Sequence, residues 1–287
     1  MVYLNAAKIS GIALVVFIIA VIFIPVAERP EDIGIILTIS TFLFAIIAGF
    51  FLARLNSRYG AIRINIADED SNFISFYKAS AIYGKKIQVK IGNIIDNYYL
   101  IVSDYVNSPK YYQASAKVFF QLYDVLKAIK KSSLKKGLQD TYDDLIVQLG
   151  NIEKNRNRSS EFMGSRLAPG QWIVISTLAL IIIFSIFMMR TGSLYWQVMS
   201  AVFSSVVILI IFLMRDLQNL RLGKKYILEE TGQEVFDFIG KKRYYNQEFL
   251  KNGWNKVPHN VKEYRLGLHK PGEKQKIKIV NNPNYKG

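Results

Sequence analysis

The chain contains no cysteine, and its two histidines, His259 and His269, both lie near its C-terminal end. The absence of cysteine excludes a disulfide scaffold, a thiolate zinc site and a cysteine nucleophile. Two histidines leave little for a histidine-based metal centre or catalytic triad. The sequence also lacks the phosphate-binding loop and the HExxH, GxSxG and dinucleotide-binding motifs. These absences predict that the protein is not an enzyme and binds no metal or cofactor.

Charged residues are also missing from four long apolar stretches, although 21% of the chain is charged. The stretches are Ile9–Ala27, Ile33–Ala53, Trp172–Met189 and Leu194–Met214. A helix needs about 20 apolar residues to cross a hydrocarbon core about 30 Å thick, so each stretch predicts one transmembrane helix. The first stretch has an alternative interpretation as a cleaved signal peptide, but its apolar run is longer than those of most signal peptides.

Lysine and arginine are distributed unevenly among the segments that connect these stretches. If both termini and the middle segment lie on the same side of a membrane, 35 of the 37 basic residues lie there, and only Arg29 and Arg190 lie opposite. Basic loops stay in the cytoplasm, so the sequence predicts a multi-pass protein of the cytoplasmic (plasma or inner) membrane with both termini cytoplasmic. No Asp, Glu, Lys, Arg or His lies inside a stretch, which argues against ion-coupled transport and leaves a passive path.

Outside the four stretches, apolar residues recur at helical spacing, and no long alternation of apolar and polar residues predicts a strand. Three such stripes run through Ile87–Tyr105, Val118–Ile129 and Leu138–Ile152. The predicted fold class is therefore all-α, an integral membrane protein in which two transmembrane hairpins flank a cytoplasmic helical domain. The predicted parts are a first hairpin (1–53), the helical domain (54–170), a second hairpin (171–215) and a cytoplasmic C-terminal segment (216–287). The basic, polar composition predicts disorder beyond about residue 252.

Small residues recur every three or four positions along the second stretch, which places them on one face of a helix. They are Gly34, Thr38, Thr41, Ala45, Gly49, Ala53 and Ser57. Such a stripe is typical of close packing against a neighbouring span. The alternative is a narrow face toward the central pore of an oligomer, in which Phe42, Phe44, Phe50 and Phe51 form an apolar constriction. The resulting pore-lining or packing candidates are Thr38, Thr41, Ala45, Gly49, Phe50 and Ala53.

Charged clusters outside the four stretches indicate function less clearly than the small-residue stripe does. The carboxylates of Asp68, Glu69 and Asp70 are suitable ligands for a divalent cation. Three consecutive residues of a helix point in different directions, however, so a solvated surface is the favoured interpretation. The lysines near the C-terminus indicate contact with anionic lipid or a solubilising tail. They are Lys270, Lys274, Lys276 and Lys278.

Three short segments resemble motifs of the bestrophin-like domain family, whose members have two spans, a helical cytoplasmic block and two further spans. The segments are Gly49–Tyr59 continuing to Ile74, Arg166–Trp172, and Asp216–Asn219 followed by Gly223. Asp70 stands where the family usually has glutamate, and the third segment lacks the family's proline. The motif positions, whose role the resemblance does not specify, are Arg63, Asp70, Asn72, Arg166 and Asp216.

The resemblance extends over about residues 10 to 240. Because the family is named for its likeness to bestrophins, which are oligomeric anion channels, it favours a homo-oligomeric passive anion channel with the second span nearest the axis. The alternative is a non-conducting, membrane-anchored interaction or scaffold protein with a basic cytoplasmic surface. Either protein would be partnered by the lipid bilayer and by further copies of the chain. No nucleic-acid binding is expected, since no recognised binding module is present.

Overall fold

The computed structural model describes residues 4–26, 30–105, 108–129, 136–222, 225–226 and 231–286. The long helices among these residues are α1 Ala6–Phe23, α2 Ile33–Ser80, α3 Lys85–Asp104, α4 Lys110–Lys127, α5 Lys136–Gly164, α6 Pro169–Met189 and α7 Leu194–Gln218. The C-terminal part adds α8 Gln233–Phe238, α9 Gln247–Lys251 and strands β1 Arg221–Leu222, β2 Lys225–Tyr226, β3 Tyr244–Asn246, β4 Glu263–Gly267 and β5 Ile277–Asn281. Helix accounts for 73% of the structure, which confirms the predicted helical class.

The chain folds into two compact units. Unit 1 comprises Met1–Tyr59 and Arg166–Lys224, and unit 2 comprises Gly60–Ser165 and Lys225–Gly287. The middle and C-terminal segments, which the sequence predicts as separate parts, therefore belong to the same unit.

Unit 1 contains the four apolar stretches. Helices α1, α6 and α7 and the first part of α2 are long and apolar enough to cross a membrane. Helices α2 and α7 begin at Ile33 and Leu194, as predicted, while α1 begins at Ala6 and ends at Phe23. The predicted end of the first stretch, Ala27, lies outside the described residues. The four predicted spans thus coincide with the four long apolar helices of the structure.

Helix α2 continues far past its apolar stretch and reaches 48 residues. It contains no proline, and its internal glycines each cost only about 1 kcal/mol relative to alanine, so nothing in the sequence stops it near Gly60. A short 3-10 turn, Ala81–Tyr83, follows it and ends at Gly84, whose φ of +98° favours glycine. Helix α3 begins directly after this turn.

Unit 2 is built from the three amphipathic helices that the apolar stripes predict. Helices α3 and α4 pack together, as do α4 and α5. Their buried side chains include Ile91, Phe119, Leu122 and Leu149. The prediction of three helices in this segment is confirmed, and each structural helix extends beyond its predicted stripe at one end or both.

The segment beyond residue 252 is ordered, so the prediction of disorder there is wrong. Strand β4 pairs in parallel with β3 and antiparallel with β5. The side chains of Tyr245, Val257 and Tyr264 form a small buried cluster beside this sheet. Composition misled the prediction because the aliphatic residues that contribute to this cluster, such as Val257, Val261 and Leu266, are scattered along the segment and do not form runs.

Candidate functional site

One face of α2 belongs to the apolar core of unit 1. Phe44, Ala48 and Leu55 are buried in the same cluster as Ile175 and Ile182 of α6. These α2 residues are spaced four and seven apart, so they share one helix face. Phe44 and Leu55, with the smaller Ala48 between them, therefore make packing contacts of α2 within the protomer.

The small-residue stripe lies on a different face of α2. Thr38, Thr41, Ala45, Gly49 and Ala53 are all exposed in the protomer. A Cβ atom added at Gly49 would meet no other atom within 4 Å. Among the residues that the structure describes, the stripe is therefore not covered by another span of the same protomer, and packing between copies and a path between copies both stay predictions.

The four phenylalanines near the stripe have different surroundings. Phe44 is buried and Phe51 packs against the core cluster, so neither is free to form a constriction. Phe42 and Phe50 are 64% and 73% exposed. Phe50 also lines an apolar pocket of about 530 Å³ with Arg54 and Gln171. Only Phe42 and Phe50 thus remain candidates for an apolar constriction.

A single glutamine joins the ends of three unit 1 helices. The Oε1 atom of Gln218 accepts hydrogen bonds from the Leu167 backbone N–H, at 3.0 Å, and the Trp172 Nε1–H, at 3.2 Å. Its backbone oxygen accepts from Nη1 of Arg58, on α2, at 3.0 Å. Gln218 therefore fixes the start of α6 and the exit of α2 relative to the end of α7.

The motif residue Asp216 holds the start of α1. Its buried carboxylate accepts a hydrogen bond from the Ala6 backbone N–H at 2.7 Å and pairs with Arg215 at 2.7 Å. Arg215 also donates to the Leu4 backbone oxygen at 2.6 Å. Because the first N–H groups of a helix have no intrahelical partner, a carboxylate at this position stabilises α1.

The acidic run Asp68–Asp70 is not a solvated surface, contrary to the favoured sequence interpretation. Asp68 is exposed, but Glu69 is buried, and its carboxylate accepts a hydrogen bond from the Tyr98 hydroxyl. Burial raises the pKa of Glu69 to about 8, although the Tyr98 hydrogen bond and the charge of Arg156 lower it. Glu69 lies well beyond the apolar stretch that ends at Ala53, in unit 2.

Arg156 completes the network around Tyr98. Its side chain is 1% exposed, and its Nε donates to the Tyr98 hydroxyl oxygen at 3.0 Å. Its Nη2 donates to the Tyr112 backbone oxygen at 3.1 Å and to Oγ of Ser115 at 3.0 Å. The guanidinium also lies 4.3 Å from the centre of the Phe119 ring, at cation–π distance. The network therefore connects α2, α3, α4 and α5.

The motif residue Asp70 connects α2 to a different set of elements. Its carboxylate accepts hydrogen bonds from the Tyr99 hydroxyl, at 2.6 Å, and from the Gly232 backbone N–H, at 3.0 Å. Burial raises the pKa of Asp70 to about 6, against the opposing effect of these two hydrogen bonds. Glu69 and Asp70 thus have separate partners and do not converge on a common cation position.

The remaining motif positions are less constrained. Arg63 and Arg166 are exposed, and Asn72 donates through Nδ2 to the Asp68 backbone oxygen at 2.7 Å. Gly223, which follows the third motif, lies outside the described residues. The motif residues therefore divide between the two units, with Arg166 and Asp216 in unit 1 and Arg63, Asp70 and Asn72 in unit 2.

Sequence reasoning missed a second buried polar cluster, in unit 2. Asp104 accepts hydrogen bonds from the Tyr244 hydroxyl at 2.8 Å and from Nδ2 of Asn246 at 2.9 Å. It also pairs with Nε2 of His269 at 2.9 Å. No local sequence signal connects these residues, because about 140 or more positions separate Asp104 from its partners. The cluster attaches the C-terminal sheet to α3.

Comparisons with known proteins agree with this arrangement. A family model described as the bestrophin-like domain matches residues 8–220. A crystal structure of a membrane protein superposes with a TM-score of 0.58 and 10% sequence identity, covering 82% of this chain and 98% of that chain, which shows a shared fold alone. No curated protein matches the sequence. Since the family model covers well over half of the sequence, the chain belongs to the bestrophin-like domain family.

Proposed function

We propose that the protein is a homo-oligomeric, passive ion channel that favours anions, with the small-residue stripe of α2 lining its central path. The observation that carries this proposal is that Thr38, Thr41, Ala45, Gly49 and Ala53 are exposed in the protomer. Small residues on a transmembrane helix permit close approach of another helix or leave space for a narrow path. A single helix cannot enclose a path, so the proposal requires several copies of the chain.

Two properties of the sequence support passive anion conduction. The four apolar stretches contain no Asp, Glu, Lys, Arg or His, so no acidic or basic side chain in them would carry a coupled proton or ion. The chain has a formal net charge of +15, and a basic surface concentrates anions near it. The proposed topology is multi-pass in the cytoplasmic membrane, with both termini and unit 2 in the cytoplasm. The absence of native cysteine makes this topology testable with single cysteines at Pro30 and Ser71, which should label from opposite sides.

The central experiment measures chloride and potassium flux through the purified protein in liposomes, with empty vesicles as a reference. Gly49→Phe should abolish chloride flux because the ring fills the narrow face. Gly11→Phe is a matched control: Gly11 is an exposed glycine of α1, and a Cβ there also meets no atom within 4 Å. It makes the same chemical change in a helix that is not assigned to the path, so flux should persist.

Three results would overturn the proposal. Equal chloride flux through the two variants, both assembled to the same mass by light scattering, would exclude the α2 stripe. Potassium flux that exceeds chloride flux would exclude anion preference. The absence of any flux from correctly assembled wild-type oligomers would instead favour the membrane-anchored interaction protein.

A further inference from the structure

Strand β5 forms one edge of the three-stranded sheet, whose order is β3-β4-β5. The Leu268 N–H donates to the Lys276 backbone oxygen at 2.8 Å, and the Asn282 N–H donates to the Lys262 backbone oxygen at 2.9 Å. Backbone groups of alternate residues in a strand point to opposite sides, so the even-numbered residues of β5 bond to β4. The N–H and C=O groups of Ile277, Ile279 and Asn281 therefore point away from β4. Among the described residues, no strand pairs with this outer edge.

The side chains of β5 divide into two different faces. Ile277 and Ile279, which are 38% and 57% exposed, lie on one face. The other face carries the exposed Lys276 and Lys278, followed by Val280, which packs against the cluster of Tyr245, Val257 and Tyr264. The edge thus presents apolar side chains and positive charges in strict alternation.

An exposed edge strand is a template for pairing with another strand, and proteins commonly use lysine to prevent self-association through such edges. A second copy of β5 in antiparallel pairing would bring Lys276 and Lys278 of both copies onto one face, where like charges repel. An incoming strand with acidic residues on that face would be attracted instead. Charge complementarity therefore favours an acidic partner over a second copy.

We propose that the outer edge of β5 binds an extended acidic segment of a partner protein by antiparallel β-strand addition. The partner segment alternates apolar residues, which cover Ile277 and Ile279, with acidic residues, which pair with Lys276 and Lys278. Main-chain hydrogen bonds supply the affinity in this mode of recognition, and alternate side chains supply the specificity. The surface lies beyond residues 8–220, which the bestrophin-like domain occupies, and does not depend on the proposed conduction.

The probe is a fluorescent nine-residue peptide that alternates valine and glutamate, and its binding to the full-length protein in zwitterionic nanodiscs is measured by anisotropy. In antiparallel addition, residues that share a face with Ile277 and Ile279 direct their amides toward β5. N-methylation of four valine amides should therefore abolish binding, while N-methylation of four glutamate amides should leave it intact. The two modified peptides have the same composition, so equal binding of both would overturn the proposal.

Substitutions in the protein provide a second test. Ile279→Pro removes one outward N–H but no hydrogen bond to β4, and proline is tolerated at sheet edges. It should weaken peptide binding about tenfold, whereas Ile279→Val, which keeps the N–H, should change it less than about twofold. Replacing Lys276 and Lys278 together with glutamate should weaken binding further and reverse its dependence on salt, because the new carboxylates repel the glutamates of the peptide.

Two controls distinguish a loss of peptide binding from a loss of folding. Thermal unfolding of each variant shows whether unit 2 remains folded, and the N-methylated peptides test the unmodified protein. Equal affinities of Ile279→Pro and Ile279→Val would exclude strand addition. Binding to phosphatidylserine vesicles, without binding to the valine–glutamate peptide, would identify the lysines as a lipid-contact surface and refute the proposal.

Discussion

At Gly232, the addition of one methyl group combines an unfavourable backbone conformation with a steric clash. Its φ is +73°, and a Cβ atom there would lie 2.1 Å from Cδ1 of Tyr99. Carbon atoms in favourable contact are about 3.5–4.0 Å apart, so the ring would have to move by more than an ångström. Tyr99 is fully buried between Phe73 and Phe236, and Asp70 accepts its hydroxyl hydrogen bond. The ring has no free space into which to move.

The loss of stability that Gly232→Ala causes can be separated into a backbone part and a packing part with a matched control. Gly240 has a similar φ of +74°, but a Cβ atom there meets nothing within 4 Å. Gly240→Ala should therefore cost only the left-handed backbone conformation, about 1–2 kcal/mol. Gly232→Ala should cost the same amount plus about 1–3 kcal/mol for overpacking. In a unit of this size, these values correspond to falls in Tm of roughly 5 °C for Gly240→Ala and roughly 10 °C for Gly232→Ala.

The assay is thermal unfolding of full-length variants in the same detergent. If Gly232→Ala and Gly240→Ala lower Tm equally, the packing of Gly232 on Tyr99 is refuted. A double-mutant cycle gives an independent check, because Tyr99→Leu should remove the additional cost of Gly232→Ala. Persistence of the full additional loss in the Tyr99→Leu background would also contradict the reasoning.

Three further predictions concern buried polar groups. Because burial raises the pKa of Glu69 from 4.5 to about 8, the folded protein holds this proton more tightly than the unfolded chain. The free energy of unfolding should therefore fall as pH rises toward about 8, by about 1.4 kcal/mol per unit of pKa shift. Glu69→Gln should flatten the dependence of Tm on pH between about pH 6 and 8. An unchanged dependence would exclude Glu69 as its source. Asp216→Ala should destabilise α1 by about 1 kcal/mol, because the Ala6 N–H loses its hydrogen bond. Proteolysis near the N-terminus should then become faster. Equal rates of proteolysis for Asp216→Ala and wild type would count against this role. Arg190 donates through its Nη atoms to backbone oxygens at and just after the end of α1, including that of Pro25 at 2.7 Å. Arg190→Lys should lower Tm because lysine lacks the forked donor, and a wild-type Tm for this variant would disprove that need.

Much of unit 1 can be predicted from the sequence because the change from polar to apolar residues is abrupt. Asp32 and Ser193 directly precede the helices that begin at Ile33 and Leu194. The helices of unit 2 are also predictable, since their apolar stripes are long and regular. The length of α2 is not, because the absence of a stop signal after Arg58 does not specify where the helix ends.

The face on which the small residues lie is predictable, but its surroundings are not. Periodicity places Gly49 and Ala53 on one face, yet it contains no information on which face meets α6 and α7. The large residues Phe44 and Leu55 meet that core, as their burial shows. Large side chains make more van der Waals contacts than glycine does, and such contacts hold helices together in a bilayer, so the face that carries Phe44 and Leu55 packs within the protomer.

Burial of the acidic run was not predictable for a related reason. Consecutive acidic residues usually indicate a solvated surface, and the tyrosines that reverse this expectation lie 29 positions away. Similarly, the order of the C-terminal segment depends on Asp104, which is distant in sequence from Tyr244 and His269. The composition of the C-terminal segment contains no information on Asp104, the residue of α3 to which its polar groups hydrogen-bond.

Glu69 and Asp70 are adjacent on α2, as Tyr98 and Tyr99 are on α3, and this equal spacing explains why two adjacent carboxylates are tolerated inside unit 2. Glu69 and Asp70 are separated by about 100° around α2, and Tyr98 and Tyr99 are separated by the same angle around α3. Each carboxylate therefore meets its own tyrosine hydroxyl, and each pair then has a different second partner, Arg156 for the first and Gly232 for the second. A buried carboxylate is costly unless its hydrogen bonds are satisfied, so each pair depends on the element that completes it. The motif position Asp70 consequently attaches Gly232 of the C-terminal segment to α2, beside the attachment that Asp104 provides on α3, and this structural role requires no bound ion.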